Sequence, residues 1–231
     1  MAMTKEEQDR LKMEAAERAL ALVQPGMAVG LGSGSTATMW IKLLGEKVRD
    51  GGLKIRAIAS SEDSERLGRS FGIPIVNFDE VKSLDLTVDG ADEVAPGLAL
   101  IKGGGGKLLR EKIVASASKR FVVVVDESKV VEKLGRFPLP VEVIQMAEPL
   151  VSAELREMGF TPKVRMKKDG SPYITDEGNL ILDCSGVLMD DPAAVGARLD
   201  SRVGVVEHGL FLGIADMALI ASEGGVVERG R

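Results

Sequence analysis

Three short stretches of the 231-residue chain carry residue types suited to chemistry on a small anionic molecule. The first, Gly32-Ser33-Gly34-Ser35-Thr36, follows an apolar run and opens a helical pattern. Glycines let the backbone turn tightly and approach a ligand, and hydroxyls beside the unbonded amides of a helix N-terminus make an anion site. A Walker loop would need a lysine that is absent, and a dinucleotide fingerprint starting at Gly30 would need glycine where Ser35 stands. A ligand-free strand-to-helix turn with a hydroxyl N-cap explains the stretch equally well. The second, Asp89-Gly90-Ala91-Asp92, ends another apolar run. Two carboxylates this close can raise the pKa of one and make it a proton carrier, or can ligate a hard cation. The plainer alternative is a solvated acidic turn. The third, Lys102-Gly103-Gly104-Gly105-Gly106, is the most unusual. Consecutive glycines are costly in backbone entropy, so a chain that carries them needs positive φ or backbone contact with a ligand. Lys102 would sit beside them as a fixed positive charge. The alternative is a flexible surface loop.

Two further charges lie close by in sequence. Glu111 belongs to a helical pattern, where by spacing alone it reads as an exposed residue paired with Lys107. Lys129 follows the apolar run Phe121–Val125 and reads as a surface lysine unless that run ends at a site.

Composition narrows the chemistry. The chain has one His (His208) and one Cys (Cys184), which excludes an internal disulfide, a zinc finger and any multi-His metal site. A Ser–His–Asp triad would have to run through His208 alone. Catalysis must come from carboxylates, lysines, arginines or backbone amides, and both His208 and Cys184 read as structural. With 30 Lys and Arg against 35 Asp and Glu, the formal charge is −5, which argues against a nucleic-acid surface. No run approaches the roughly 18 apolar residues that span a bilayer. The charged N-terminal stretch is not a secretory signal, so the cytoplasm is the expected compartment.

Periodicity and turn residues place the elements that must position these side chains. Residues 4–23 predict an amphipathic helix, with Thr4 and Glu7 as a capping box and Leu11, Ala15, Ala19 and Leu22 at helical spacing. Strands are expected at Met27–Leu31, 54–60, Ile73–Val76, Leu84–Val88, Leu98–Lys102 and Phe121–Val125. Helices are expected after Gly34, over 62–71 and over 107–118. Alternating strands and helices over 1–132 predict a Rossmann-like α/β domain with a parallel sheet, which residues 208–231 rejoin. Such sheets bind ligands at the carboxyl ends of their strands, and all three unusual stretches are expected there. Residues 133–207 read β-α-β-β-α-β, the order of a ferredoxin-like α+β domain, inserted into the first.

Taken together, these residues resemble ribose-5-phosphate isomerase of the A type. GLGSGST (30–36), SSEDSERL (60–67), TVDGADEV (87–94), IKGGGGKLLREKIVAS (101–116) and GRFPLPVEVI (135–144) carry the resemblance, with ILDCSG (181–186) and GLFLGIADMALI (209–220). The resemblance covers nearly the whole chain. VDGADE, KGGG and LREKI in that order are specific to it; GSGST alone is not. It implies an aldose–ketose isomerase of the non-oxidative pentose phosphate pathway. That enzyme interconverts ribose 5-phosphate and ribulose 5-phosphate through an enediolate, as a homodimer without metal or organic cofactor. It further implies Glu111 as general base, with Asp89, Asp92 and Lys102 as catalytic partners. Substrate contacts would come from Ser33, Gly34, Ser35, Thr36, Asp89, Gly90, Ala91, Asp92, Lys102, Gly103, Gly104, Gly105 and Lys129. Whether the phosphate meets 33–36, or Lys129 and the glycine loop, stays open. Gly106 and Lys107 depart from the family pattern, which often has a small residue there. Two other readings share parts of this pattern: the sugar-phosphate-sensing domain of some bacterial repressors, and an acetate-type coenzyme A transferase. The first would bind a phosphosugar without turnover, yet the chain shows no helix-turn-helix or basic patch.

Overall fold

The computed structural model describes residues 3–231. In chain order the elements are α1 (Lys5–Leu20), β1 (Ala28–Leu31), α2 (Gly34–Arg49), β2 (Arg56–Ala59), α3 (Glu62–Ser70), β3 (Leu86–Asp89), β4 (Glu93–Val94), β5 (Leu100–Ile101), α4 (Leu108–Ser116) and β6 (Phe121–Asp126). They continue with β7 (Leu139–Val143), α5 (Glu148–Glu157), β8 (Thr161–Val164), β9 (Leu180–Ser185), α6 (Pro192–Asp200), β10 (Val205–His208), β11 (Leu210–Phe211), β12 (Met217–Ser222) and β13 (Gly225–Gly230). Two compact units result. One comprises Met1–Ala91, Arg110–Val130 and Gly213–Arg231, the other Asp92–Leu109 and Val131–Leu212.

The first unit is built on a six-stranded sheet of order β13-β12-β6-β3-β1-β2. Its strands run parallel except for β13, which folds back antiparallel on β12. β1 and β6 are buried along their whole length, as their unbroken apolar sequences require of strands covered on both faces. The expected capping box closes α1: the Thr4 side chain accepts from the Glu7 amide, and the Glu7 carboxylate accepts from the Thr4 amide. Leu11, Ala15 and Ala19 of α1 then bury together with Trp40, Ile41 and Leu44 of α2 and with Val29, Leu31, Val122 and Val124 of the sheet. Burying each Leu, Ile or Val side chain contributes about 1.5–3 kcal/mol, so this face fixes the strand ends beyond it. Register pairs Leu31 with Val88, and Asp89 with Val123. The carboxyl ends of β1 and β3 therefore bring Gly32 and Asp89 side by side.

The second unit contains the β-α-β-β-α-β order expected over 133–207. β7, β9, β8 and β10 form an antiparallel sheet of order β10-β7-β9-β8, a ferredoxin-like arrangement, and α5 and α6 are its helices. Leu139, Val141, Val143, Val151, Leu155, Leu182 and Leu199 are among its core residues. A small antiparallel sheet of order β11-β5-β4 belongs to the same unit.

Three sequence expectations change. The strand expected at Leu98–Lys102 is β5, which pairs with β4 and β11 and not with the parallel sheet, so the glycine stretch follows an antiparallel strand. Residues 92–109, expected with the first domain, cluster with the second unit for the same reason. Ile73–Val76 is not a strand: Pro74 has no N–H to donate, and only a bridge between Ala57 and Ile75 survives. The terminal hairpin strand β13 has no counterpart among the expected strands.

Candidate active site

In the first unit the loop after β1 is held by a carboxylate. Asp89 is 2% exposed, and its Oδ1 accepts from the Ser33 amide at 2.9 Å and the Gly90 amide at 2.7 Å. Gly32 is required here because a Cβ would run into the Asp89 carboxyl. Ser33 is the N-cap of α2, yet its hydroxyl does not cap the helix. It bonds the Ser60 hydroxyl at 2.8 Å, while the Ser64 hydroxyl donates to the Gly32 carbonyl at 2.5 Å. The plain reading of a hydroxyl-capped turn thus fails. α2 begins at Gly34 with no side-chain cap on its first-turn amides, and Gly34 and Ser35 are exposed while Thr36 is buried. Gly90 lies against Thr36, and Ala91 is half-buried.

Glu111 is also in this unit, in the first turn of α4. It is 5% exposed, against the expectation of a solvated helix residue. A negative charge in a helix's first turn is favoured by the helix dipole. Lys107, its expected partner, lies 2.5 Å from Asp176 Oδ1 in the other unit's own ion pair. Lys129 is half-buried in a short helical turn after β6, which the buried Asp126 caps through the Ser128 amide at 3.0 Å.

In the second unit the glycine stretch is a built loop. Asp92 Oδ2 accepts from the Gly104 amide at 2.7 Å, and the Gly106 amide donates to the Gly103 carbonyl at 2.9 Å. Arg165 Nη1 donates to the carbonyls of Gly103 and Gly104 at 2.9 and 3.1 Å. Asp183 holds the same guanidinium in a two-pronged pair at 2.5 and 3.0 Å. The Tyr173 hydroxyl faces the Gly105 carbonyl at 3.4 Å. Lys102 is 2% exposed; its amide donates to the Gly209 carbonyl at 2.9 Å and its ammonium sits 5.5 Å from the Phe211 ring centre. A buried ammonium is tolerable only where anions, carbonyls or aromatic faces replace water. Glu93, in the same DGADE motif, serves structure: its carboxylate accepts from the Gly135 and Phe137 amides at 2.8 and 2.6 Å.

The four glycines now separate by role. Gly103 and Gly106 have φ of +99° and +78°, and a Cβ at Gly104 would meet Asp92 at 2.6 Å. Those three are needed by the protein itself. Gly105 is exposed, has no positive φ, and a Cβ there would meet nothing within 4 Å. Sequence reasoning misses Arg165 and Tyr173, which brace this loop. They lie about 60 residues beyond it without a motif to mark them.

His208 and Cys184, read as structural from the sequence, are both buried in the second unit. His208 Nδ1 accepts from the Leu210 amide at 3.2 Å, which fixes the neutral ring as the Nε2–H form, with that proton directed to Asp200 Oδ1 at 3.0 Å. His208 also belongs to a group with Asp200 and Glu207 whose ligand atoms lie within 4.8 Å of one another. Burial pushes the Cys184 thiol far above its ordinary range. Among the described residues, no helix is long and apolar enough to cross a membrane.

Residues 56–225 match the family described as ribose 5-phosphate isomerase A (phosphoriboisomerase A). The chain is 48% identical to ribose-5-phosphate isomerase A of Roseiflexus sp. (strain RS-1) over 94% of either chain. It is 51% identical to that of Methylorubrum extorquens over 93% of either. A solved ribose 5-phosphate isomerase A from Methanocaldococcus jannaschii superposes with a TM-score of 0.93 at 41% identity, covering 96% of this chain and 99% of that one. A D-ribose-5-phosphate isomerase solved in complex with phospho-erythronic acid gives 0.94 at 39% identity, covering 97% and 99%. Fold, motif order and relatives define an enzyme of the isomerase class. The chain belongs to the ribose 5-phosphate isomerase A family.

Proposed function

We propose that this chain interconverts D-ribose 5-phosphate and D-ribulose 5-phosphate by proton transfer through an enediolate, with Glu111 as the base. The observation that carries the reading is a carboxylate buried to 5% exposure in the first turn of α4, inside the LREKI segment of a chain of this family. The reaction moves a proton from C2 to C1 of the open-chain sugar while the two oxygens exchange theirs. A carboxylate suits the carbon step because it can take the proton from C2 and return it to C1. Lys102 stabilises the negative charge that develops on the oxygens, a role a buried cation performs better than a hydrated one. Asp89 moves protons between O1 and O2 and assists ring opening. Asp92 acts through the glycine loop, whose Gly104 amide it holds.

The exposed amides at 34–35 and at Gly105 are the anion-facing groups of this reading, with Thr36, Gly90, Ala91 and Lys129 as further substrate contacts. We assign the phosphate to the N-terminus of α2, where the Ser33 hydroxyl is engaged elsewhere and leaves the first-turn amides uncapped. Cytoplasmic location and a homodimer complete the proposal; sedimentation of the pure protein at twice the monomer mass supports the latter, and monomer mass rejects it.

Glu111→Gln tests the base. The amide keeps the size and can still accept hydrogen bonds but cannot take a proton. Ketose formation, followed in a coupled assay, should fall by about 10²–10⁴-fold in kcat with a nearly unchanged KM. Turnover close to wild type would remove Glu111 from the role.

A further inference from the structure

The glycine loop is held in an unusual way for a glycine-rich turn: by its carbonyls, from a strand end of the ferredoxin-like domain. Arg165 Nη1 reaches both the Gly103 and the Gly104 carbonyl, and Asp183 grips the other edge of the same guanidinium. Peptide planarity then sets the direction of the next amide. In a trans peptide the N–H of one residue points opposite to the C=O of the residue before it. Drawing the Gly104 carbonyl toward Arg165 therefore turns the Gly105 N–H the other way. That N–H has no acceptor among the described residues, and Gly105 is exposed with open space at its Cβ position. The neighbouring amides are already engaged: Gly104 with Asp92, and Gly106 with the Gly103 carbonyl. Arg165 is itself braced, since its carbonyl accepts from the Tyr173 amide at 2.8 Å and its guanidinium lies 6.0 Å from the Tyr173 ring centre.

We propose that Arg165 is a positioning residue for the isomerase, aligning the Gly105 amide as a fixed hydrogen-bond donor to the oxygens of the enediolate. Asp183 is the group that orients Arg165. The arrangement supplies preorganisation: the donor's direction is set before the charge develops, by a planar fork able to engage two carbonyls and one carboxylate together. Lysine, with one point of charge, cannot hold the same three partners. This inference rests on the reading that the glycine loop faces the substrate.

The test measures binding of phospho-erythronic acid, whose carboxylate stands in for the enediolate oxygens, by titration calorimetry alongside steady-state kinetics. Arg165→Met, and Arg165→Lys should the first fail to fold, are expected to weaken the analogue about tenfold. The KM for ribose 5-phosphate should change less than about threefold, and the stoichiometry should stay near one site per chain. A residue that merely supports folding would lower the stoichiometry and leave the affinity alone, and that result overturns the proposal. So does an unchanged affinity at full stoichiometry. Gly105→Ala separates the underlying reading, since it places a methyl group beside the same amide without touching Arg165. If it alters neither analogue affinity nor kcat, the loop does not face the substrate. If it alters either while the Arg165 variants do not, the loop reading stands and the assignment of Arg165 falls.

Discussion

The two glycine-rich loops differ in the charged side chain that braces them: a buried carboxylate for one, a guanidinium for the other. After β1, the Ser33 N–H donates to the Asp89 carboxylate, which also accepts from the Gly90 N–H just after β3. After β5, the loop is held mainly by its carbonyls, which accept from the Arg165 guanidinium. The first arrangement puts a buried anion next to a helix N-terminus whose amides remain uncapped. The second turns a loop amide outward and sets it beside a buried lysine in sequence. One loop leaves helix-end amides uncapped by a side chain, and the other carries one exposed amide. The holders differ in chemistry too. Asp89 is both the brace of its loop and, in our reading, a proton carrier, whereas Arg165 has only the bracing role.

That difference can be broken experimentally, beginning with the largest effect. Asp89→Asn keeps an oxygen to accept from the Ser33 and Gly90 amides but cannot carry protons. We expect kcat to fall by roughly 10²-fold with the thermal midpoint little changed. Asp89→Ala should lose the same activity and in addition about 1–3 kcal/mol of stability, because two amides lose their acceptor. Equal stability of the two variants by denaturant titration would show that Asp89 does not hold its loop. In the other loop, Gly106→Ala forces a side chain into positive φ and against the Tyr173 ring, 2.6 Å away. It should cost about 1–3 kcal/mol, against less than about 0.5 kcal/mol for Gly105→Ala. A reversed order in urea midpoints would contradict the assignment of those glycines.

A smaller effect concerns the ferredoxin-like domain away from either loop. Glu142 is buried, and burial raises its carboxyl above the ordinary range despite hydrogen bonds from Asn179 and Thr175, with Glu177 and Glu207 adding repulsion. A raised pKa means that the folded state holds the proton more tightly than the unfolded chain. Its contribution is therefore present at low pH and is lost as pH rises through the folded value. Both hydrogen bonds go to Oε1, which glutamine retains. Glu142→Gln should stabilise the protein at pH 7, with the gain shrinking as pH falls and vanishing below the ordinary carboxyl range, where both states are protonated. A gain independent of pH would show that charge burial is not the cause. The smallest expected change is Ser33→Ala, which loses buried hydroxyl contacts to Ser60 at 2.8 Å and Ser64 at 3.4 Å and about 1 kcal/mol.

Much of this is legible in the sequence, and the parts that are not share a cause. Short-range signals carry through: the Thr4–Glu7 box, the apolar runs of β1 and β6, and the β-α-β-β-α-β order of the insertion all depend on residues near one another in the chain. The strand expected at Ile73–Val76 loses to Pro74, a rule visible in the sequence but outweighed by the apolar pattern. Pattern alone misreads Glu111 because helical spacing reports which face is apolar; it does not show that a polar face is covered. The brace on the glycine loop is illegible for a different reason. Arg165 and Asp183 meet only because β8 pairs with β9, setting Lys163 opposite Asp183. Nothing local in KVRMKKDGSPYI marks an arginine as one that reaches a loop about 60 residues earlier.

Ribose 5-phosphate deuterated at C2 tests directly whether a carboxylate moves the C2 proton. With the wild-type enzyme in ordinary water, the deuterium should appear partly in solvent and partly at C1 of the ribulose 5-phosphate, since a proton held on Glu111 can exchange before its return. The Glu111→Gln variant should slow both outcomes together. Complete retention of deuterium at C1, at a rate unaffected by Glu111→Gln, would mean a direct hydride shift and would contradict the proposed mechanism.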